Sequence, residues 1–531
     1  MKGQFRNHII YILLLTVLSV GYFVDTFKPN VQDTVSDQWN FIPIAIKLDH
    51  PELYKGDLFL DNIEDVKYYT PFFINGIRFF TYFTNDNYFS GLNLFNLFIN
   101  LSFSIAWYLL FFKIFKNQAF AFLFSLILRG VMWLPGYEVW GAGPVWLALP
   151  RTAFIALLPS VFILLFFAKN KRYSAYFVLG LIANFHPISG LGIFVTIFLS
   201  DLTVLRDKND TFKRNLIIYS LCTLFFILGC ATYIYTYLHS VILNSVTDPV
   251  QFELALSMRI GEIFTNPFMI LSKFTELKWL LLILTPYLLL IFTYKKLEDS
   301  DRRIVKLLMF FSLYILLFSV GVVPLEMLIN RFGFNLHMSF QLVRNIKFIV
   351  VPVFILYAYF VFVLFRLGEN SKMSRIKNFT LLASFILVLI FSRFQPLKSV
   401  PLVGDDFIRA TMPNLYSIRK ESLPFDKDLS EALNWINDSI KVKAKFVGPA
   451  SMRSECRQSV VFDTKGASML IEGNPNKFSE WGRRKIELSN TADSNKKIQL
   501  FKAWGAEYLL TKEYFEANLI FQNEGYRLYR L

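Results

Sequence analysis

Long apolar stretches set the pattern of this chain. They fall at about residues 9–25, 88–115, 118–134, 151–168, 174–204, 214–238, 278–294, 304–324, 345–366 and 378–394, and most are long enough to cross a bilayer core as a helix. Between them stand short basic clusters: "KIFKN" (113–117), "KNKRY" (169–173), "RDKNDTFKR" (206–214), "YKKLEDSDRR" (294–303) and "RLGENSKMSRIK" (366–377). Such clusters mark the cytoplasmic ends of membrane helices. The pattern therefore predicts a polytopic α-helical membrane protein with a cytoplasmic N-terminus, the first apolar run serving as a retained signal anchor.

The clusters at 169–173 and 206–214 demand the same side of the membrane although one apolar stretch separates them. That stretch is interrupted by "NFHPISG", whose Pro187 and Gly190 break helices. Two short helices with His186 at the outer tip of their hairpin reconcile the signals. The total becomes about eleven transmembrane segments, and residues after Arg393 lie outside the cytoplasm. The same threading puts four loops outside: the acidic first loop (26–70), "WLPGYEVWGAGPVWLALPR" (133–151), the 239–277 connection and "EMLINRFGFNLHMSFQLVR" (326–344). Their apolar residues, Gly and Pro predict short interfacial helices.

From about 396 the pattern changes to a charged, mixed one with no spanning run. "DLSEALNWINDSI" (428–440) has helical spacing, whereas "KAKFVGPA" (443–450), "QSVVFDTKG" (458–466), "AEYLLTKEYF" and "GYRLYRL" read as strands or strand ends. The chain thus divides at 1–395 and 396–531, a membrane domain followed by a small extracytoplasmic α/β domain of ordinary size.

Composition sharpens this picture. The chain is 54% hydrophobic and 18% charged, outside soluble averages. Its formal net charge of +15 sits largely in the orientation clusters, which points to membrane lipid and away from nucleic acid. Cys222, Cys230 and Cys456 form neither a disulfide framework nor a zinc spacing. No HExxH, GxSxG, Walker loop or CxxC array occurs, which argues against zinc proteases, serine hydrolases and ATP-driven pumps.

Candidate chemistry collects on the predicted outer side. Asp33, Asp37, Asp49, Glu52 and Asp57 crowd the first loop. Asp33 and Asp37 share a face if that stretch is helical, or Ser36 caps a helix beginning at Asp37. An ionised acid there suits a proton acceptor or a ligand for a divalent cation, magnesium or manganese; the alternative is that these acids only solvate the loop. Arg78, Arg129, Arg151 and Arg344 stand near outer ends of apolar runs, where phosphate is a natural partner, as are lipid headgroups or an acid such as Glu138. His186 and His337 are further phosphate or proton-transfer candidates. Beyond residue 450, Arg453, Arg457, Lys465, Arg483 and Arg484 cluster with Asp463. They suit an acceptor or lipid headgroup, or ion pairs inside the domain or against the acidic loop.

The stretches "SDQWNFIPIAIKLDHPELYKGDLF", "ANFHPISGLGIF" and "ALNWIN…GPASMRSECRQSVVFDTKG…EWGRR" make the chain resemble the GT-C superfamily of membrane glycosyltransferases. Within it, the chain looks closest to an uncharacterised bacterial multi-pass family. The resemblance implies a protein of the bacterial inner membrane that transfers a sugar, with inversion, from a polyprenyl-phosphate donor to a glycan, lipid or protein acceptor of the cell envelope. It places the base or metal ligand at Asp37, with Asp33 second. Donor phosphate would meet Arg344, Arg151 and His186, and acceptor or headgroup would meet Arg453 and Arg457. Better-known members often carry two adjacent acids in this loop; here Gln38 follows Asp37. A flippase for a lipid-linked glycan and a non-catalytic scaffold are the readings from other classes, since broken helices also build transporter sites.

Overall fold

The computed structural model describes residues 2–26, 37–131, 148–168, 171–205, 211–241, 246–260, 284–288, 290–291, 294–333, 336, 339–368 and 426–531. The expected span at 378–394, most of that at 278–294, and the residues Asp33, Ser36, Glu138 and His337 lie outside them, as does the Arg129 side chain. Among the described residues, six helices are long and apolar enough to cross a membrane: Tyr88–Phe115, Pro150–Phe167, Pro187–Val204, Phe212–Gly229, Asp299–Asn330 and Val343–Val363. His8–Val20 and Arg172–Ala183 are shorter apolar helices. The chain is a helical membrane protein.

Two compact units emerge. The first comprises Met1–Thr26, Asn96–Ala231 and Glu262–Tyr416. Its expected broken hairpin is present as helices Arg172–Ala183 and Pro187–Val204. His186 caps the second helix, its Nδ1 accepting from Ser189 N at 3.2 Å, with Pro187 in the first turn where a missing N–H does no harm. Asn184, fully buried, donates from Nδ2 to the carbonyls of Gly180, Leu181 and Gly229 at 3.0, 3.0 and 2.9 Å. Helix Phe212–Gly229 can come this near because a Cβ on Gly180 would lie 2.2 Å from the Phe226 carbonyl oxygen. Small residues at such a crossing let apolar helices pack backbone to backbone. The expected single span over 214–238 is corrected: the helix ends at Gly229, and a second helix, Ala231–Val241, follows.

The second unit gathers three distant parts of the sequence, Phe27–Phe95, Thr232–Gly261 and Ser417–Leu531. Its centre is a five-stranded sheet of β1 (Lys445–Val447), β2 (Ser459–Phe462), β3 (Tyr508–Thr511), β4 (Asn518–Gln522) and β5 (Arg527–Arg530), ordered β2-β1-β3-β5-β4. β1 runs parallel to β2 and β3, while β5 is antiparallel to β3 and β4. Alternation sends Phe446, Val460, Leu510 and Leu528 to one face, under Ala432, Leu433 and Ile436 of helix Lys427–Ser439. Val447, Val461, Leu509 and Tyr529 go to the other, against Ile498 and Phe501 of helix Ser494–Ala503. Both faces are covered, as period-two strands require of a small sheet that must bury apolar doublets.

Segments from elsewhere in the chain dock on this core. Helix Pro249–Ile260 packs against helix Pro475–Asn490, with Phe252 and Phe478 rings 5.4 Å apart. The Tyr237 hydroxyl donates to the Glu472 carboxylate, and burial pushes that carboxyl up to about 7. Because the folded state holds this proton more tightly than the unfolded chain, the associated stability is full below the ordinary carboxyl value and is lost as pH rises toward 7. The loss amounts to about 3 kcal/mol. Glu472→Gln is therefore expected to melt higher than the parent at pH 8 and to match it near pH 4, measured by thermal unfolding in detergent; equal melting at both pH values would refute the assignment.

Candidate functional site

The first loop folds into two helices, Gln38–Asp49 and Pro71–Thr81. Asp37 stands at the N-terminus of the first, and its carbonyl accepts from Asn40 N at 2.9 Å and Phe41 N at 3.2 Å. Its side chain makes no cap; it pairs with Lys465 Nζ at 3.3 Å, the two side chains being 39% and 29% exposed. An ion pair this open to solvent is weak, so the carboxylate is held in place without being sealed off.

The other described acids of the loop mostly serve architecture. Asp49 accepts from Arg78 Nε at 2.7 Å and from the Tyr88 hydroxyl at 2.8 Å. Asp65 pairs with Lys477 at 2.9 Å. Asp57, 1% exposed, meets Arg453, 2% exposed, with Nε to Oδ2 at 2.7 Å and Nη2 to Oδ1 at 3.1 Å. The remaining Arg453 nitrogen pairs with Asp463, and Nη2 also donates to the Val460 carbonyl at 3.0 Å. Asp57 further accepts from the backbone N–H of Phe59, Leu60 and Val460. The guanidinium stacks 5.1 Å from the Phe59 ring centroid.

Arg453 therefore does not reach a lipid headgroup or acceptor as expected from sequence. A guanidinium this buried and this fully engaged is a clamp between the first loop and the sheet. Leu58 N donates to the Val460 carbonyl at 3.4 Å, so the loop also covers the outer edge of β2, an edge that otherwise invites aggregation. Arg457 is half-buried in left-handed backbone, φ +52°. Arg484 is likewise structural, bonded to the Val461 carbonyl at 2.7 Å and paired with Glu480, whereas Arg483 is exposed.

The cations expected to meet phosphate all belong to the first unit. Arg151 lies in the first turn of helix Pro150–Phe167, His186 at the break before Pro187–Val204, and Arg344 in a 3₁₀ segment, Val343–Ile349, preceding helix Val350–Gly368. The charges of Lys347, Arg151 and Arg344 all act on the His186 ring. Asn345 fixes the segment against the hairpin, donating to the Ile188 carbonyl at 3.2 Å and to that of Leu342 at 2.9 Å. It fits because Gly192 has no side chain: a Cβ there would fall 2.2 Å from Asn345 Cγ. Arg344 also donates to Gln341 Oε1 at 3.3 Å.

Lys347, 6% exposed, was not foreseen as a member of this group. The signal was its spacing: in a 3₁₀ helix residues three apart eclipse, which puts Lys347 on the same face of the segment as Arg344. Asp201 was missed as well. It is fully buried in helix Pro187–Val204, accepts from the Tyr176 hydroxyl at 3.0 Å and lies 3.4 Å from Arg172 Nε. An acid at such a position is worth following because intramembrane ionisable groups are costly to keep.

A divalent cation would need several oxygen ligands. Among the described residues no three His, Cys, Asp or Glu side chains converge to hold one, and Asp37 has an ammonium group against it. No protein-family model and no curated protein matches the chain.

Proposed function

We propose that this chain is a GT-C-like glycosyltransferase of about eleven spans, with its C-terminal α/β domain outside the cytoplasm of a bacterium. It transfers a sugar, with inversion, from a polyprenyl-phosphate carrier to a cell-envelope acceptor at the outer face of the inner membrane. The observation that carries this reading is that the charges of Arg151, Arg344 and Lys347, carried by separate elements at the ends of apolar helices, all act on the His186 ring. Planar guanidinium groups bind phosphate oxygens in pairs, and several cations beside lipid-length helices suit an anion with an apolar tail.

In the transfer, the acceptor hydroxyl oxygen bonds to the anomeric carbon as the bond from that carbon to the phosphate oxygen breaks. The phosphate leaves with the electron pair, stabilised by the arginines as its charge develops. Asp37 takes the hydroxyl proton. Energy comes from the donor's own phosphate ester, so neither ATP nor a soluble nucleotide sugar is required.

Arg344→Ala is expected to weaken binding of polyprenyl phosphate about tenfold to a hundredfold, the cost of a charged hydrogen-bond pair. Arg344→Lys, which keeps the charge but not the fork, recovers only part of that loss. Titration of purified protein in nanodiscs reads both. Unchanged affinity in Arg344→Ala would sink the phosphate assignment.

A further inference from the structure

A second site lies within the first-loop part of the second unit. Helix Pro71–Thr81 is amphipathic: Phe73, Ile74 and Ile77 are buried, whereas Asn75 and Phe79 are exposed. The chain then turns through Asn85 and Asp86, both in left-handed backbone at φ +52° and +58°, before helix Tyr88–Phe115 begins. Asn and Asp are the non-glycine residues that accept this conformation most readily. The reversal closes one side of a cavity of about 470 Å³ lined by Asp49, Asn75, Arg78, Phe79, Tyr82 and Asp86, among others.

The lining is a built array. Arg78 Nε donates to Asp49 at 2.7 Å and its Nη1 to Asn75 Oδ1 at 2.8 Å, while the Tyr88 hydroxyl donates to the other Asp49 oxygen at 2.8 Å. These contacts fix the polar groups before any ligand arrives. With its oxygen taken by Arg78, the Asn75 amide has N–H donors to offer, and Asp86 offers acceptor oxygens from an exposed position. Beside them stand two rings with unusual exposure, Phe79 at 61% and Tyr82 at 82%. Phe83 packs 5.3 Å from Phe79 and 5.6 Å from Tyr82, which steadies both.

Charge decides the ligand class. Two carboxylates, Asp49 and Asp86, line the cavity with one guanidinium, Arg78, and the His50 ring, and Arg78 is already taken by Asp49, so a phosphate or other anion is disfavoured. An apolar ligand would leave the polar array unpaired. A neutral polyhydroxyl compound satisfies both halves: its hydroxyls meet carboxylate and amide, and the C–H face of a pyranose ring lies on an aromatic ring. The cavity's size is ordinary for a small-molecule site.

We infer that this cavity binds a neutral carbohydrate, the acceptor sugar of the transfer reaction. The acceptor role rests on the transfer reading; the binding itself does not.

The test uses the full chain in nanodiscs, with the methyl glycosides of glucose, galactose, mannose and N-acetylglucosamine as probes. Saturation-transfer NMR is expected to show binding of at least one probe, and Tyr82→Ala and Asp86→Asn are each expected to weaken its titrated affinity at least about fivefold. Both positions are exposed, so folding is little affected, and an unchanged melting temperature confirms it. Absence of saturation transfer to every probe, that is, no binding, overturns the inference. So does undiminished affinity in both variants, which would make these rings a headgroup anchor. Polyprenyl-phosphate binding, titrated on the same samples, reports separately: sugar binding without donor binding supports the pocket and removes the transferase, and the converse removes only the pocket.

Discussion

Replacing Arg453 with methionine is expected to destabilise the protein by about 3–5 kcal/mol, the range for breaking a buried ion pair from one side. The side chain occupies the centre of the second unit, with Asp57 on two of its nitrogens and Asp463 on the third. Methionine keeps much of the volume and removes the charge, which leaves two carboxylates buried at 1% and 7% exposure without their cation. Backbone N–H groups still serve them, since Phe59, Leu60 and Val460 bond to Asp57 and Lys465 and Gly466 bond to Asp463. Those dipoles soften the penalty without cancelling a net charge in a dry site.

Asp57→Asn should cost less, because Arg453 retains Asp463, yet it still turns an N–H toward a donor at Val460 N or Arg453 Nε. The double variant should lose less than the sum of the two, as expected for groups in one network. Thermal unfolding of the full chain in detergent decides the matter. A melting temperature for Arg453→Met within about one degree of the parent would show that the clamp does not hold the unit together.

The second large effect concerns turnover. Asp37→Asn is expected to lower the rate of sugar transfer by about 10²–10⁴, the usual contribution of a positioned general base, while leaving polyprenyl-phosphate affinity unchanged. The carboxamide matches the carboxylate in shape and cannot take the acceptor proton. Lys465→Met is the companion variant. It releases the 3.3 Å ion pair, and because both partners are partly solvated it should alter stability by less than about 1 kcal/mol. Transfer from radiolabelled polyprenyl-phosphate sugars by purified protein in lipid reads both, and equal turnover in Asp37→Asn and parent would remove Asp37 from the chemistry.

What the sequence revealed depended on how local its cause was. The hairpin at His186 was legible because Pro187 lies inside an apolar run, and a proline there has one local consequence. β1 and β2 were legible from the doublets Phe446–Val447 and Val460–Val461, which need two covered faces. β4 was not: "NLIFQ" is short, and its strand character comes from pairing with β5. Helix Pro475–Asn490 was hidden by Gly482, which reads as a breaker. In the structure a Cβ there would lie 2.4 Å from that of Ala255, so the glycine admits a neighbouring helix. The joint action of Arg151, Arg344 and Lys347 on His186 involves separate elements, and only the three-residue spacing of Arg344 and Lys347 leaves a local trace. Asp57 and Arg453 stand 396 positions apart, and no pattern near either names the other.

That separation has a consequence for biosynthesis. Asp57 leaves the ribosome long before Arg453 exists, and at about 5–20 residues per second the interval is roughly 20–80 seconds. Throughout it the acidic loop has no sheet to lie on, and its carboxylates keep their water. Those acids let the segment wait in a hydrated state until a part of the chain made much later, carrying Arg453, completes it.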